Sequence, residues 1–265
     1  MKRRPLLDLL VSRHPDLTRE ELLAFVLSGE VLVNGERIRE ARRAVPTEAE
    51  IRFEGERYVS RGGYKLEHAL DYWEIPVVGK VFLDAGSSTG GFTDCLLQRG
   101  AAAVHAVDVG RNQLAYRLRR DSRVIVHEQT NIMDVQALDP VPAAAVCDLS
   151  FRSAVGAVQR LLSLVNERRV MALVKPQFEI DPDTPGFDGV VRDSRLLEET
   201  LRRVVERLEA AGIAVVGATA SPVRGRRGNR EFLFLLRPAQ EAAAPGDSPS
   251  DSLDADAVLQ GCLGG

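Results

Sequence analysis

DAGSSTGGFTD, residues 84 to 94, is a glycine-rich turn between an apolar run and a helical pattern, and its reading decides the fold. Ahead of it, Val81-Phe82-Leu83 reads as a buried strand; behind it, residues 92–99 read as a helix. Gly86, Gly90 and Gly91 are expected to let backbone approach a ligand where any Cβ would collide. A strand, a glycine turn and a helix in this order imply a bound cofactor.

The spacing narrows the choice of cofactor. Here it is G-x-x-x-G-G, whereas the dinucleotide fingerprint is G-x-G-x-x-G. A P-loop needs a closing Gly-Lys-Ser/Thr, and no lysine occurs between Lys80 and Lys175. Asp84, which opens the turn, suits a ligand with a positive amino group better than a phosphate. S-adenosylmethionine carries an ammonium and no phosphate. Asp108 ends the next apolar run, Val104-His105-Ala106-Val107, where a strand-end carboxylate accepts ribose hydroxyls. Taken singly, the same residues also fit a tight loop and an unremarkable strand-end charge.

At 265 residues the chain exceeds one small core, so an α/β domain plus an appended module is expected. Cys95, Cys147 and Cys262 show neither a disulfide framework nor paired metal-ligand spacing, so a reducing, cytoplasmic setting and no metal are expected. The basic start MKRRPLLDLL has its apolar run broken by Asp8 and lacks a small-residue cleavage site, so it reads as no signal peptide. No run of about 18 apolar residues exists to span a membrane. The net charge of −3 conceals an asymmetry: five of the 38 acidic residues lie in 239–265, which has no lysine or arginine, leaving 35 basic against 33 acidic elsewhere. That segment, rich in Ala, Pro, Ser, Asp and Gly, is expected to be a disordered acidic tail.

Residues 1–60 read as a separate small α+β module. Thr18 and Glu21 make a capping box for a helix that Gly29 ends. Asn34-Gly35 between Val31-Leu32-Val33 and Glu36-Arg37-Ile38 signals a hairpin, and a further strand pair is expected at 50–53 and 57–59. Residues 61–238 alternate strands and helices. Strands are expected at 81–83, 104–108, 124–127, 143–147, 170–174, 214–218 and 231–236, with helices at 153–165 and 194–211. The pattern predicts an α/β fold: a Rossmann-like, seven-stranded, doubly wound sheet that tolerates an antiparallel edge strand.

Four ionisable residues stand where a surface role explains them poorly. Lys175 and Asp148 each follow an apolar strand, Glu231 begins one, and Lys65 follows Arg61-Gly62-Gly63 on a helix. Open α/β sheets bind ligands at such strand ends. A lysine serves as general base only when burial or a second cation favours its neutral form. Lys65 is placed to be that cation, Asp148 to orient Lys175, and Glu231 to position Lys65 or a substrate hydroxyl. Two arginine clusters follow: Arg111, Arg117, Arg119, Arg120 and Arg123 in one segment, and Arg224, Arg226, Arg227 and Arg230 in a glycine-containing loop before Glu231. The second cluster is expected to contact phosphates.

At these residues the chain resembles the TlyA-type rRNA methyltransferases. The matching segments are SRGGYKLEHAL (60–70), DAGSSTGGFTDCLL (84–97), VDVGRNQL (107–114), CDLSF (147–151), LVKPQFE (173–179), DGVVRD (188–193) and SPVRGRRGNREFL (221–233). VLVNGERI (31–38) resembles the family's first domain. The resemblance implies an S-four-type RNA-binding domain followed by an FtsJ-like methyltransferase domain. It implies an enzyme that uses S-adenosylmethionine to methylate a cytidine 2′-hydroxyl in ribosomal RNA or ribosomal subunits, without membrane or metal. A Lys-Asp-Lys-Glu tetrad falls on Lys65, Asp148, Lys175 and Glu231, with Lys175 as general base. Asp84, Gly86 and Gly91 would line the cofactor's methionine end, Asp108 its ribose, and Asn131 or Asp134 its adenine. VDVGRNQL carries Arg111-Asn112 where the family usually shows Tyr-Gly.

Two rival readings remain from other classes. Family members have been called hemolysins, but the sequence offers no span, signal peptide or strongly amphipathic basic helix. A non-catalytic RNA-binding ribosome-assembly factor would keep the N-terminal module and the arginines. It would have no use for the Lys175 and Asp148 strand-end pair.

Overall fold

A computed structural model describes residues 3–14, 19–53, 57–149, 155–181, 183–184, 186–241 and 253–263. The chain divides into two compact units, Met1–Tyr58 and Val59–Gly265.

In the first unit, β1 (Arg3–Pro5) leads into α1 (Leu6–Arg13) and α2 (Arg19–Ser28), followed by β2 (Val31–Val33), β3 (Glu36–Ile38), β4 (Ala44–Pro46) and β5 (Ile51–Phe53). The expected hairpin forms: Val33 pairs with Glu36, and Asn34 and Gly35 both have positive φ, as a two-residue turn of this hand requires. Thr18 and the side chain of Glu21 lie outside the described residues. The second expected strand pair does not form. Residues 57–59 are bends, and β5 instead pairs with the free side of β2. Because Val31 and Val33 face the core, β2 is the natural centre strand, and local spacing cannot say which neighbour takes its second edge. Leu6, Leu10, Leu22 and Val26 from the two helices close that core.

The second unit runs α3 (Gly62–Tyr72), β6 (Val81–Ala85), α4 (Gly91–Gln98), β7 (Ala103–Val107), α5 (Tyr116–Arg119), β8 (Val124–His127), β9 (Ala144–Cys147), α6 (Val155–Leu164), β10 (Val170–Val174), α7 (Pro176–Glu179), α8 (Ser194–Ala210), β11 (Ile213–Ala220), β12 (Phe232–Pro238) and α9 (Ala255–Leu263). Its seven strands form one sheet in the order β11-β12-β10-β9-β6-β7-β8. All five residues of β10 are buried, the continuous apolar run of a strand covered on both faces. In α8, Leu197, Leu201, Val204, Val205 and Leu208 recur at helical spacing and are buried, and Asp193 caps it by accepting the Arg195 and Leu196 N–H groups at 2.7 and 3.0 Å.

Two expectations are corrected. The antiparallel strand is not at the edge: β12 lies between β10 and β11 and runs antiparallel to both. β11 takes the edge, and the chain returns through the 221–231 loop to fill the gap, a choice set by non-local pairing. Nor is the 239–265 segment without structure. Its last part is α9, whose Val258 and Cys262 are buried in the core, and Gly261 approaches so closely that a Cβ would sit 2.6 Å from the Ala218 carbonyl. Two apolar positions four apart are too sparse a signal to announce a helix, yet they suffice once an edge strand receives them.

The strand order reverses between β6 and β9, which is where an open α/β sheet parts to form a crevice at its carboxyl edge. Below that edge, on β7 and β8, two histidines share a hydrogen bond. The Pro140 carbonyl can only accept, so His105 Nε2 donates to it at 2.8 Å, leaving Nδ1 to accept from His127 Nε2 at 3.0 Å. Burial holds both imidazoles below their usual range, and for His127 the neighbouring His105 adds to this. The unfolded chain therefore takes up these protons first, and stability contributed by the pair is lost as pH falls below about 6.5. In urea titrations at pH 7.5 and 5.5, the acid-induced loss of stability is expected to be smaller for His127→Gln, whose amide still donates to His105, than for the parent; equal losses would contradict this.

Candidate active site

β6 ends at Ala85, and the chain reverses at Gly86, where φ is +80°. A Cβ there would lie 2.6 Å from the Asp148 carbonyl, so β6 and β9 approach as closely as they do only because this residue is glycine. Gly90 and Gly91 have a different reason from the one expected. A Cβ on Gly90 would overlap the Leu118 side chain, and one on Gly91 would overlap Ser60 and stand 3.0 Å from the Gly63 nitrogen. Their freedom is spent on packing α4 against α5 and α3, and of the three glycines only Gly86 lines the adjoining cavity.

That cavity, of about 230 Å³, is walled by Gly86, Ser88, Asp108, Gln113, Thr130, Asn131 and Asp148, with Val107, Val109, Ile132 and Leu149 as its apolar surface. Asp108 is held ready by two backbone donors: Ser88 N–H to Oδ2 at 2.8 Å and Gly110 N–H to Oδ1 at 2.6 Å. Each oxygen keeps a lone pair for a further donor. Of the two residues expected near an adenine, Asn131 lines the cavity; Asp134 does not, being carried away by the short turn Ile132–Asp134. Ser88, Gln113 and Thr130 were missed by sequence reasoning, since uncharged polar residues in loops carry no distinctive spacing. No lysine or arginine is in the lining. The walls thus offer acceptors and no cation, which suits hydroxyl, amino and cationic groups and disfavours phosphate.

Asp84 does not line the cavity. It is fully buried, and one oxygen accepts both the Thr93 N–H at 3.0 Å and the Thr93 hydroxyl at 2.6 Å, bracing the first turn of α4. Burial, opposed by these Thr93 bonds and reinforced by Asp148 and Asp108, lifts its carboxyl to about 7. Its other oxygen has no hydrogen-bond partner among the described residues.

The four candidate catalytic residues form two ion pairs. Lys65, on α3, pairs with Glu231, both almost fully buried. Lys175 Nζ lies 2.5 Å from Asp148 Oδ1, an electrostatic contact set off the hydrogen-bond direction rather than an aligned hydrogen bond. Strand register gathers them at one edge. Val174 pairs with Phe232, so Lys175 and Glu231 are the next residues on facing strands, and Asp148 follows Cys147, which pairs with both Ala85 and Ala172. The expectation that Lys65 acts on Lys175 as a bare cation is corrected: Glu231 neutralises it, since two buried like charges without counterions would be costly.

The loop before Glu231 is fastened from beneath. A Cβ on Gly225 would overlap the Glu231 carboxylate. Buried Asn229, also unanticipated, accepts the Val191 N–H at 3.0 Å and donates to the Gly189 carbonyl at 2.9 Å, which gives the 188–193 segment its purpose. The two arginine clusters now separate. Arg117, Arg119 and Arg123 are each ion-paired, to Asp94, Glu128 and Asp121. In the loop, Arg224 donates to the Gly228 carbonyl, Arg227 to the Asp188 carbonyl and Arg230 to the Cys262 carbonyl, while Asp188 Oδ2 stands 4.0 Å from Arg227. Carbonyl acceptors hold a guanidinium without cancelling its charge. The side chain of Arg226 lies outside the described residues. Among those described, no cluster of three or more His, Cys, Asp or Glu is arranged to hold a metal, and no helix is long and apolar enough to cross a membrane.

Comparison with known proteins gives three kinds of likeness. The family model for FtsJ-like methyltransferases matches residues 58–237. The chain is 40% identical over 252 residues, 92% of its length and 89% of the relative's, to YqxC of Bacillus subtilis (strain 168), described as a candidate rRNA methyltransferase. It is 37% identical over 260 residues, 96% of its length and 97% of the relative's, to the 16S/23S rRNA (cytidine-2′-O)-methyltransferase TlyA of Mycobacterium tuberculosis (strain CDC 1551 / Oshkosh). A solved structure from Streptococcus thermophilus, described as a candidate hemolysin, superposes with a TM-score of 0.68 at 37% identity, covering 98% of this chain and 96% of that one.

The turn glycines give a graded test. Gly79 has φ +73° and open space around it, so Gly79→Ala carries only the left-handed penalty, about 1 kcal/mol. Gly86→Ala adds the collision with Asp148 and is expected to lose clearly more in urea unfolding. Equal losses would show that β6 and β9 are not held at this distance.

Proposed function

The chain belongs to the FtsJ-like methyltransferase family, and from that premise we propose that it methylates a cytidine ribose 2′-hydroxyl in ribosomal RNA, with S-adenosylmethionine as donor and Lys175 receiving the hydroxyl proton. The observation that carries this reading is the placing of two lysine–carboxylate pairs at the sheet's carboxyl edge, one of them sharing Asp148 with the acceptor-lined cavity.

The residues present fit the cofactor. Asp108, clamped by two N–H groups, would accept its ribose hydroxyls, and Asn131 and Thr130, in the same lining, would hold its adenine. Gly86, which lines the cavity, would adjoin the cofactor's methionine end. When bound, S-adenosylmethionine supplies an electrophilic methyl group. Asp148 fixes the place of Lys175 beside the cavity; once the paired ammonium has released a proton to solvent, the neutral amine takes the hydroxyl proton as the oxygen becomes nucleophilic. Lys65 and Glu231 form a fixed, net-neutral wall on the other side, able to orient the ribose without changing the site's charge.

The loop arginines Arg224, Arg227 and Arg230, and Arg226 with them, are proposed to meet the RNA backbone, because the described three keep their charge uncancelled or nearly so. The 1–58 unit is proposed as the S-four-type RNA-binding domain, and the site of action as the cytoplasm.

Lys175→Ala is expected to lower methyl transfer to rRNA at least about a hundredfold, the usual worth of a positioned base, while calorimetric binding of S-adenosylmethionine survives. Undiminished transfer would remove Lys175 from its role. In RNA-binding titrations against salt, Arg224→Ala and Arg227→Ala are each expected to reduce the log–log slope by about 1, with Arg119→Ala leaving it unchanged. Equal slopes for all three variants would relocate the RNA.

A further inference from the structure

The amino edge of the sheet, at the opposite end of β10 from Lys175, holds a cavity of about 500 Å³, the size of sites that enclose a small organic ligand. Its wall includes Trp73, Lys80, Glu167, Arg169 and Arg237, with exposed Glu74. Lys80 and Arg169 immediately precede β6 and β10. Irregular backbone shapes the space. β11 bulges between Val215 and Gly217, and the bulged Val216 joins the wall. Gly217 lies against the indole: a Cβ there would stand 2.6 Å from Trp73 Nε1, so the ring keeps this place only because the residue is glycine.

Two features of the wall work against the stability of the fold. Val170 of β10 pairs with Leu236 of β12, so Arg169 and Arg237 are the next residues on facing strands. Like charges set opposite one another destabilise a sheet. Glu167 is shared between two cations: its Oε1 accepts from Lys80 at 2.5 Å, and its Oε2 stands 3.6 Å from Arg169. Three cations thus share the wall with two carboxylates. The second feature is Glu74. α3 ends in a Schellman turn, in which the Glu74 N–H donates to the Asp71 carbonyl at 3.2 Å and the Ile75 N–H to the Leu70 carbonyl at 2.9 Å, and φ at Glu74 is +51°. Glycine is the ordinary residue at that position. A glutamate there strains the backbone and adds a carboxylate to the cavity wall.

Together these groups match the parts of a ribonucleotide. Neighbouring guanidiniums bind phosphate oxygens through several charge-assisted hydrogen bonds. An indole stacks a base of any kind, and a carboxylate accepts from ribose hydroxyls or an exocyclic amine. We infer that this cavity is a second nucleotide site, separate from the cofactor cavity, which takes one ribonucleotide unit by its phosphate. A free nucleotide and an unpaired nucleotide of RNA present the same phosphate, ribose and base to it.

Trp73 is the single tryptophan of the chain, so its fluorescence reports on this cavity alone. The test titrates the full chain with AMP, with adenosine and with rRNA from a strain lacking the gene, keeping S-adenosylhomocysteine in excess to exclude AMP from the cofactor cavity. AMP is expected to change the Trp73 emission saturably, and adenosine to bind at least about tenfold more weakly. Arg237→Gln is expected to weaken AMP about tenfold at an unchanged thermal midpoint. Glu74→Gly relieves the strained turn, so it is expected to raise the thermal midpoint while weakening AMP about threefold, a combination that a purely structural glutamate would not give. Saturation by rRNA that AMP reverses assigns the nucleotide to RNA; saturation by AMP with rRNA inert assigns a free nucleotide. Emission unmoved by both AMP and rRNA overturns the inference. So does equal affinity for AMP and adenosine, or an AMP affinity that neither variant changes.

Discussion

The close approach of β6 to β9 at Gly86 is the constraint from which the rest of the site follows. Parallel strands on either side of the switch point diverge at their carboxyl ends, and here the divergence begins one residue past Ala85 and Cys147, which are themselves paired. Only a glycine lets the turn pass against the Asp148 carbonyl, 2.6 Å from where a Cβ would stand. That contact fixes Asp148 as the residue common to two spaces: its side chain pairs with Lys175, and the residue also walls the cavity closed by Asp108. Donor and acceptor chemistry are brought together by a backbone contact.

The charges at this edge are balanced pairwise. Asp148 has Lys175 and Glu231 has Lys65, with the latter pair almost fully out of water. Losing one partner of such a pair typically costs about 3–5 kcal/mol because the other charge is stranded, so these residues support the fold as well as the reaction. Asp84 is the exception. Its carboxyl, lifted to about 7, is braced by Thr93 alone, and ionising it costs stability that grows as pH rises from about 4 to 7. A cationic ligand nearby would offset that cost, so the edge is poised for positive charge on its cavity side.

Much of this was legible in the sequence, and the limits have physical causes. Each of the seven strands was announced by its apolar run, most plainly β10, whose five residues are all buried. The Asn34-Gly35 hairpin was legible because its turn needs positive φ at both positions. The tetrad members stood out as charges at the ends of buried strands. What failed was whatever depends on distant partners. The insertion of β12 between β10 and β11 is a pairing choice; the glycines at 90 and 91 answer to Leu118 and Ser60, remote in sequence; and α9 is a helix only because β11 receives it. Asp84 was read as a ligand contact because its acidity was visible and its burial was not. Asn229 was missed for the same reason, since a buried asparagine bridging two loops looks in sequence like any loop asparagine.

The account's central claim is that the methyl group is delivered to a ribose oxygen held by Lys175. The most direct measurement is where the label goes when the purified protein, labelled S-adenosylmethionine and unmodified rRNA are incubated and the product is hydrolysed in alkali. A methylated 2′-oxygen cannot attack the neighbouring phosphate, so the account predicts that all of the label is recovered in an alkali-resistant dinucleotide containing 2′-O-methylcytidine. Label recovered in a mononucleotide, on the base, would contradict it.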